Sequence, residues 1–231
     1  VPGDDPSEIA SGPTVGSTAT AAMALAALKQ WKVALPDDIM QVITNAPAPI
    51  APNDPRLSTS ETRIIAAPAQ SLAAAAQLAG DIDVRILGDA IEGEARNLGQ
   101  AHAALAMQIA AEKNTRPVLL LSGGECTVTR RGSGIGGPNA EYVLAAGHVL
   151  NGHPQIHVLA CDTDGVDGAA EVAGAYAGPD MQDLAKAQRV CSQAALEEND
   201  AHSFFDKIGG QIVTGPTLTN VNDFRAILIL P

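Results

Sequence analysis

Val118-Leu119-Leu120-Leu121-Ser122-Gly123-Gly124-Glu125 is the stretch on which the fold turns. Four aliphatic residues in succession, with no polar alternation, read as a strand buried on both faces, the form expected of a parallel strand covered by helices. In open sheets of that kind, ligands bind beyond the carboxyl ends of the strands. Gly123 and Gly124 stand at that end, and without a Cβ they let the backbone approach a ligand closely. Ser122 adds a hydroxyl, and Glu125 a carboxylate for a metal ion or a substrate hydroxyl. The competing reading is a tight turn with a solvated glutamate.

Working outward, the pattern alternates strands with helices. Strands are expected at 62–67, 84–87, 127–131, 156–161, 211–213 and 226–230. Alanine-rich or periodic helices are expected at 68–80, 92–113, 139–151 and 182–198. In the second of these, Ala95, Leu98, His102, Leu105 and Ile109 recur at helical spacing, which makes His102 a core or boundary residue. Thr18 is placed to cap a helix running to about Trp31. Pro47, Pro49, Pro52 and Pro55 mark residues 44–60 as a linker or an extended crossing. The fold class that follows is α/β, a layered α/β/α domain with a mostly parallel sheet over 61–231. Residues 1–60 are its linker and the tail of a preceding Rossmann-like α/β domain.

Composition narrows the function. The 231 residues carry a net charge of −12, and Arg130-Arg131 is the only basic cluster. Nucleic-acid binding, which needs clustered Lys and Arg against phosphate, is disfavoured. No apolar run reaches membrane-spanning length. Cys126, Cys161 and Cys191 stand far apart without a CxxC pair, and no HExxH occurs. The expectation is a cytoplasmic enzyme in which Cys126 and Cys161 are small fillers. The opening Val1-Pro2-Gly3-Asp4-Asp5 lacks an initiator Met and reads as the middle of a loop, as in a fragment of a longer chain.

Three further motifs share the character of the first. Gly132, Gly134 and Gly137 make a GxGxxG match, with Pro138 at the first position of the next helix. The run reads as an anion-cradling loop, with a dinucleotide site as the alternative. Asp162, Asp164 and Asp167 crowd the end of a strand and repel one another unless a cation or amide donors compensate. Asp162 and Asp164 suit Mg²⁺, which takes one or two carboxylates plus phosphate oxygens; Asp167 suits bracing of backbone amides, and a network of Asx turns would serve all three. Thr214-Gly215-Pro216-Thr217-Leu218-Thr219-Asn220-Val221-Asn222-Asp223 alternates Thr217 and Thr219 as a strand with one polar face would. Together the motifs are an inventory for a phosphorylated ligand and a divalent cation. No GxSxG elbow or Walker A motif is present.

With Pro2-Gly3-Asp4-Asp5-Pro6, Ala10-Ser11-Gly12-Pro13-Thr14, Glu92-Gly93-Glu94-Ala95-Arg96 and Glu198-Asn199-Asp200, these motifs resemble those of the glycerate 2-kinase family, whose C-terminal half is the MOFRL domain. Members often bear the name hydroxypyruvate reductase. The resemblance implies ATP- and Mg²⁺-dependent phosphate transfer to the 2-hydroxyl of D-glycerate in a two-domain cleft. The partners implied are a small hydroxy acid and the family's N-terminal domain, with a catalytic lysine, preceding Val1; a homo-oligomer is compatible. Motifs and resemblance together nominate Asp164 and Glu125 as catalytic, and Asp162 and Asp164 as metal ligands. For phosphate, nucleotide or substrate they nominate Ser122, Gly123, Gly124, Gly134, Gly136, Gly137, Asn139, Thr214, Thr217, Asn220, Asn222 and Asp223. One departure stands out: Ile135 and Pro138 fill positions where many members carry arginine, as in members linked to tartrate degradation. Arg96, Arg130 or Arg131 would have to substitute. The alternatives implied are an NADH- or NADPH-dependent reductase of hydroxypyruvate, or an inactive ligand-binding piece.

Overall fold

The computed structural model describes residues 3–112, 114–168 and 170–231. Two compact units divide the chain, Asp4–Ile65 and Ala66–Pro231, with Gly3 grouped with the latter.

In the first unit, helix α1 (Ala21–Gln30) is capped by Thr20, whose hydroxyl accepts the Met23 amide at 3.2 Å. The cap therefore lies two positions beyond Thr18, where the chain is still extended and an alanine run follows directly. A second helix, α2 (Asp37–Thr44), went unread in the sequence. It opens behind Pro36 with Asp37 and Asp38 in its first turn, where the helix dipole favours acids. The proline-bearing stretch beyond it is irregular apart from a 3₁₀ turn at Pro55–Leu57.

The second unit runs α3 (Pro68–Leu78), β1 (Asp83–Glu94), α4 (Ala95–Ala111), β2 (Val118–Thr127), α5 (Pro138–Leu150), β3 (Ile156–Asp162), β4 (Gly174–Ala177), α6 (Met181–Ala187), α7 (Ser192–Glu197), α8 (Ala201–Ile208), β5 (Gln211–Ile212) and β6 (Asp223–Ile229). Among the described residues these strands form one six-stranded sheet, in the order β1-β2-β6-β3-β4-β5. The layered α/β class stands, but the sheet is mixed: only β1 and β2 are parallel, and each remaining neighbour pair is antiparallel. The last strand, β6, enters between β2 and β3 and runs against both. Val118, Leu120 and Leu121 of β2 are buried and Leu119 half-buried because α4 and α5 cover one face and α3 covers part of the other, not because the neighbouring strands are parallel. Leu121 lies in the α3 layer with Leu72, each 1 % exposed, while Val118 and Leu120 join the core beneath α4 and α5.

Several boundaries moved. β2 continues to Thr127, so Ser122–Glu125 lies inside the strand rather than in a turn after it. β1 runs on to Glu94, with register shifts on either side of Gly88, which delays α4 to Ala95; Lys113, the expected end of that helix, lies outside the described residues. Residues 62–67 form no strand, and Ile65 is 90 % exposed. The helix expected over 182–198 is two, broken where Arg189 turns left-handed at φ 57. Residues 128–131 and 213–222 are irregular.

The abundance of alanine is spent where α5 lies against α4 and the sheet. Ala103, Ala106, Ala140, Ala145 and Ala146 are wholly buried. A Cβ at Gly99 would collide with the carbonyl of Tyr142 on the facing helix, so the two helices approach at backbone contact.

Candidate functional site

Strand register brings the motifs to one end of the sheet. Gly124 pairs with Asp223 on β6, and Asp223 with Asp162 on β3. The Asp223 carboxylate accepts the Cys126 amide at 3.1 Å and the Asn139 side-chain amide at 2.7 Å, and pairs with Arg225. Asn139 also donates its backbone N–H to Asp167 at 2.9 Å, and Ala140 donates to the other Asp167 oxygen at 2.8 Å. Asp167 is fully buried and caps the first turn of α5 as an anion on the positive end of the helix dipole. It braces backbone amides, one of the roles open to it in the sequence. His202 on α8 closes the assembly, its Nε2 3.0 Å from the Asp167 carbonyl oxygen and 3.2 Å from the carboxylate. Burial opposes the imidazolium, but the hydrogen bond and charge of Asp167 prevail, and the His202 pKa is raised.

The glycine run is held from within. Arg131 and Gly132 donate their amides to the Asn199 side chain at 2.6 and 3.0 Å, Gly134 to the Glu198 carbonyl at 2.8 Å, and Ile135 to the Asp200 carboxylate at 2.9 Å. A Cβ at Gly132 or Gly134 would strike the Glu198–Asp200 turn, one at Gly136 would lie 2.7 Å from the Asn199 carbonyl, and one at Gly137 would strike Asp167. The glycines thus serve close contact with the Glu198–Asp200 turn and with Asp167. These amides are already engaged, and the first amides of α5 belong to Asp167. Asn199 in turn donates to Glu141 at 2.8 Å, and Glu141 is gripped by Arg96 through bonds of 3.0 and 2.9 Å. Arg96 is committed to that pair, which leaves the exposed Arg130 and Arg131 of the three arginines considered. On β2, the position of a Gly124 Cβ is filled by the backbone of Ile91: this glycine, at φ 113, answers to the neighbouring strand. Ser122 is buried and Glu125 exposed.

The acidic turn and the 214–223 loop interlock. Asp162 accepts the Asp164 amide at 3.0 Å, and Asp164 accepts the Val166 amide at 2.8 Å and the Asn220 side-chain amide at 3.0 Å. Thr163 donates to the Asn222 carbonyl at 2.8 Å and accepts the Val221 amide at 2.8 Å. Thr217 does not alternate with Thr219 on a strand face. Its amide meets the Asp164 carbonyl at 3.1 Å, and its hydroxyl the carbonyls of Thr163 and Thr219. Thr214 bonds the Gly215 carbonyl at 2.9 Å. Asx turns are therefore part of what the aspartates do. Yet no cation of the chain pairs with Asp162 or Asp164 among the described residues. Burial, with the charge of Asp164 adding, pushes Asp162 up to about 6. No group of three or more His, Cys, Asp or Glu side chains among the described residues is arranged to hold a metal by itself.

Sequence reading missed Arg225, 1 % exposed, which donates to the Gly123 carbonyl at 3.0 Å and lies 3.0 Å from the Cys126 sulfur. The available signal was the spacing of Asp223 and Arg225, two apart on the buried face of a strand. Burial still raises the Asp223 pKa, with Arg225 opposing. Burial also pushes the Cys126 and Cys161 thiols up to about 11, which suits inert fillers.

The stretch that carries these loops, residues 118–223, matches the MOFRL family, and residues 1–44 match a domain of unknown function, DUF4147. The chain is similar to a hydroxypyruvate reductase by name from Agrobacterium vitis, at 42 % identity over 99 % of this chain and 53 % of the relative. It is 31 % identical to glycerate kinase of Macaca fascicularis, over 100 % of this chain and 70 % of the relative. The crystal structure of glycerate kinase from Thermotoga maritima superposes with a TM-score of 0.83 at 28 % identity, covering 100 % of this chain and 55 % of that one. The chain belongs to the glycerate kinase family. It spans about half the length of the first relatives it matches.

Proposed function

We propose that this chain is the C-terminal part of a glycerate 2-kinase-like enzyme, which transfers the terminal phosphate of ATP, with Mg²⁺, to the 2-hydroxyl of D-glycerate. The observation that carries the reading is the convergence of the acidic turn, the 214–223 loop and the end of β2 beside Asp223 in a chain of the glycerate kinase family. Mg²⁺ fits the residues present: Asp162 and Asp164 are close, half-buried and without a cation of their own, and Mg²⁺ commonly completes its shell with water and phosphate. When bound, the metal nucleotide would supply the phosphoryl group and neutralise its charge. The chain's own part is positioning. Asp162 and Asp164 hold the cation, the exposed Glu125 and Asn220 orient substrate and phosphate, and Ser122, Thr214 and Thr217 shape the loops behind them. Asn139, Asp167 and Asp223 fix the frame.

The reductase reading has the Agrobacterium vitis name and Ile135 in its favour. Against it stands the glycine run: a dinucleotide pyrophosphate needs free amides at a helix N-terminus, and here Asp167 takes the Asn139 and Ala140 amides of α5 while Asn199, Glu198 and Asp200 take those of Arg131, Gly132, Gly134 and Ile135. The test is the intact protein offered ATP–Mg²⁺ with D-glycerate and, separately, NADH with hydroxypyruvate. Glycerate phosphorylation and a melting temperature raised by ATP–Mg²⁺ are expected; NADH oxidation with no response to ATP would reverse the assignment. Residues 1–231 alone are expected to show no turnover.

A further inference from the structure

Leu218 is 97 % exposed, and its backbone is left-handed at φ 63, a conformation that a leucine Cβ disfavours. Both flanks are fixed. Thr217 is bonded to Asp164 and Thr163, and Asn220 donates to Asp164 at 3.0 Å while accepting the Asn222 amide at 2.9 Å. The loop thus holds a strained, fully solvated leucine on a rigid mount beside the acidic turn. That conformation gains nothing for the packing of this chain, and strain of this kind collects at ligand sites. Two more exposed aliphatic side chains flank the same turn. Val166, 40 % exposed, donates its amide to the Asp164 carboxylate that Asn220 also binds. Ile135, 56 % exposed, adjoins Gly136, whose carbonyl lies under Gly168.

Resting on the kinase reading, we propose that Leu218 is a specificity-determining residue that packs on the purine base of the nucleotide. The partner follows from chemistry. A three-carbon hydroxy acid such as glycerate bears oxygen on every carbon and offers a leucine no apolar surface. A magnesium nucleotide has one extended apolar surface, the face of its base. Phosphates and cation belong at Asp162 and Asp164, and Leu218 stands on the loop clamped to those residues.

The test uses Leu218→Gly and Leu218→Asn in the intact protein, since both residues accept the left-handed backbone. Calorimetric titrations with ATP–Mg²⁺ and with magnesium tripolyphosphate, which lacks a base, are compared with melting of the ligand-free protein. Expected are ATP binding about tenfold weaker, tripolyphosphate binding unchanged, and ligand-free melting within about 2 °C of wild type, because relief of strain offsets the added freedom of the unfolded chain. Unchanged ATP affinity overturns the proposal. So does equal loss for both ligands, which would make the loop a phosphate element, and so does a ligand-free protein that melts several degrees lower, which would place Leu218 against protein. Wild type that binds NADH and not ATP removes the kinase reading itself, an outcome distinct from the others because they all leave wild-type ATP binding in place.

Discussion

The side-chain amide of Asn139 donates to the Asp223 carboxylate at 2.7 Å across 84 residues of sequence, and that bond ties the glycine run and α5 to the first residue of β6. Both residues are almost wholly buried, and Asn139 also serves Asp167. Removing one partner of a buried hydrogen bond leaves the other unsatisfied, at about 1–3 kcal/mol each. Asn139→Ala is expected to lower the free energy of unfolding by about 3 kcal/mol. Asn139→Asp should cost more, because it sets a third carboxylate between Asp167 and Asp223. Urea titration of both variants decides this, and an aspartate milder than the alanine would show that the acids are already neutralised.

Asp164 and Asp167 sit three apart in one turn but differ in burial and partners. Asp167 is fully buried under α5 and His202, whereas Asp164 is only partly buried and faces the 214–223 loop. Asp164→Asn should keep the fold by circular dichroism and reduce turnover of the intact enzyme by about tenfold or more, roughly 1.4 kcal/mol of transition-state stabilisation. Asp167→Asn should instead act on stability, by about 2–4 kcal/mol, by removing the charge that caps α5 and pairs with His202. Steady-state kinetics across a Mg²⁺ titration separates the two. Normal turnover and normal Mg²⁺ dependence in Asp164→Asn would make its carboxylate a turn-former only.

Strands β2, β3 and β6 and helices α3, α4 and α5 were readable because each left a local signature, an aliphatic run or helical periodicity, whereas β4 and α8 were not read. Strand direction was not readable. The run Val118–Leu121 looks the same whether two layers of helices or two parallel neighbours bury it, and nothing local says that β6 returns between β2 and β3. The glycine run misled for a related reason. Sequence shows that Gly132–Gly137 permit a close approach, but the approaching group is the Glu198–Asp200 turn, brought there by tertiary packing. Arg225 was hidden because a single buried charge in a strand means little until its partners, Asp223 and the Gly123 carbonyl, are in place.

If those glycines serve packing, the cost of a methyl group should track the space around them and not the distance to any ligand. A Cβ at Gly137 would collide with Asp167, whereas one at Gly80, at φ 62, meets nothing within 4 Å. Gly80→Ala should cost about 1 kcal/mol, from its left-handed backbone alone. Gly137→Ala should cost about 2–3 kcal/mol or more, since Asp167 is held by two amides and has no room to move. Chemical denaturation of the pair measures the difference, and equal costs would show that the contact relaxes.

His102 offers a test of the core through pH. It lies on the inner face of α4, its Nδ1 2.9 Å from the Tyr142 hydroxyl, with the Arg225 guanidinium near the same ring. Burial first, and then the charge of Arg225, pull its pKa from 6.5 down to about 4. The folded protein therefore keeps His102 neutral while the unfolded chain takes up a proton below about 6.5. Stability from this residue is complete above that value and is lost as pH falls toward 4, because the unfolded state then binds the extra proton. The full loss is about 3 kcal/mol, at 1.36 kcal/mol per pKa unit. His102→Gln keeps a hydrogen-bonding partner for Tyr142 but cannot titrate. Between pH 7 and pH 4, wild type should lose about 3 kcal/mol more unfolding free energy than the variant in urea titrations at fixed ionic strength. Parallel curves for the two proteins would mean that His102 is protonated as readily in the folded state as in the unfolded chain, and that the interior around Tyr142 is wetter than its burial implies.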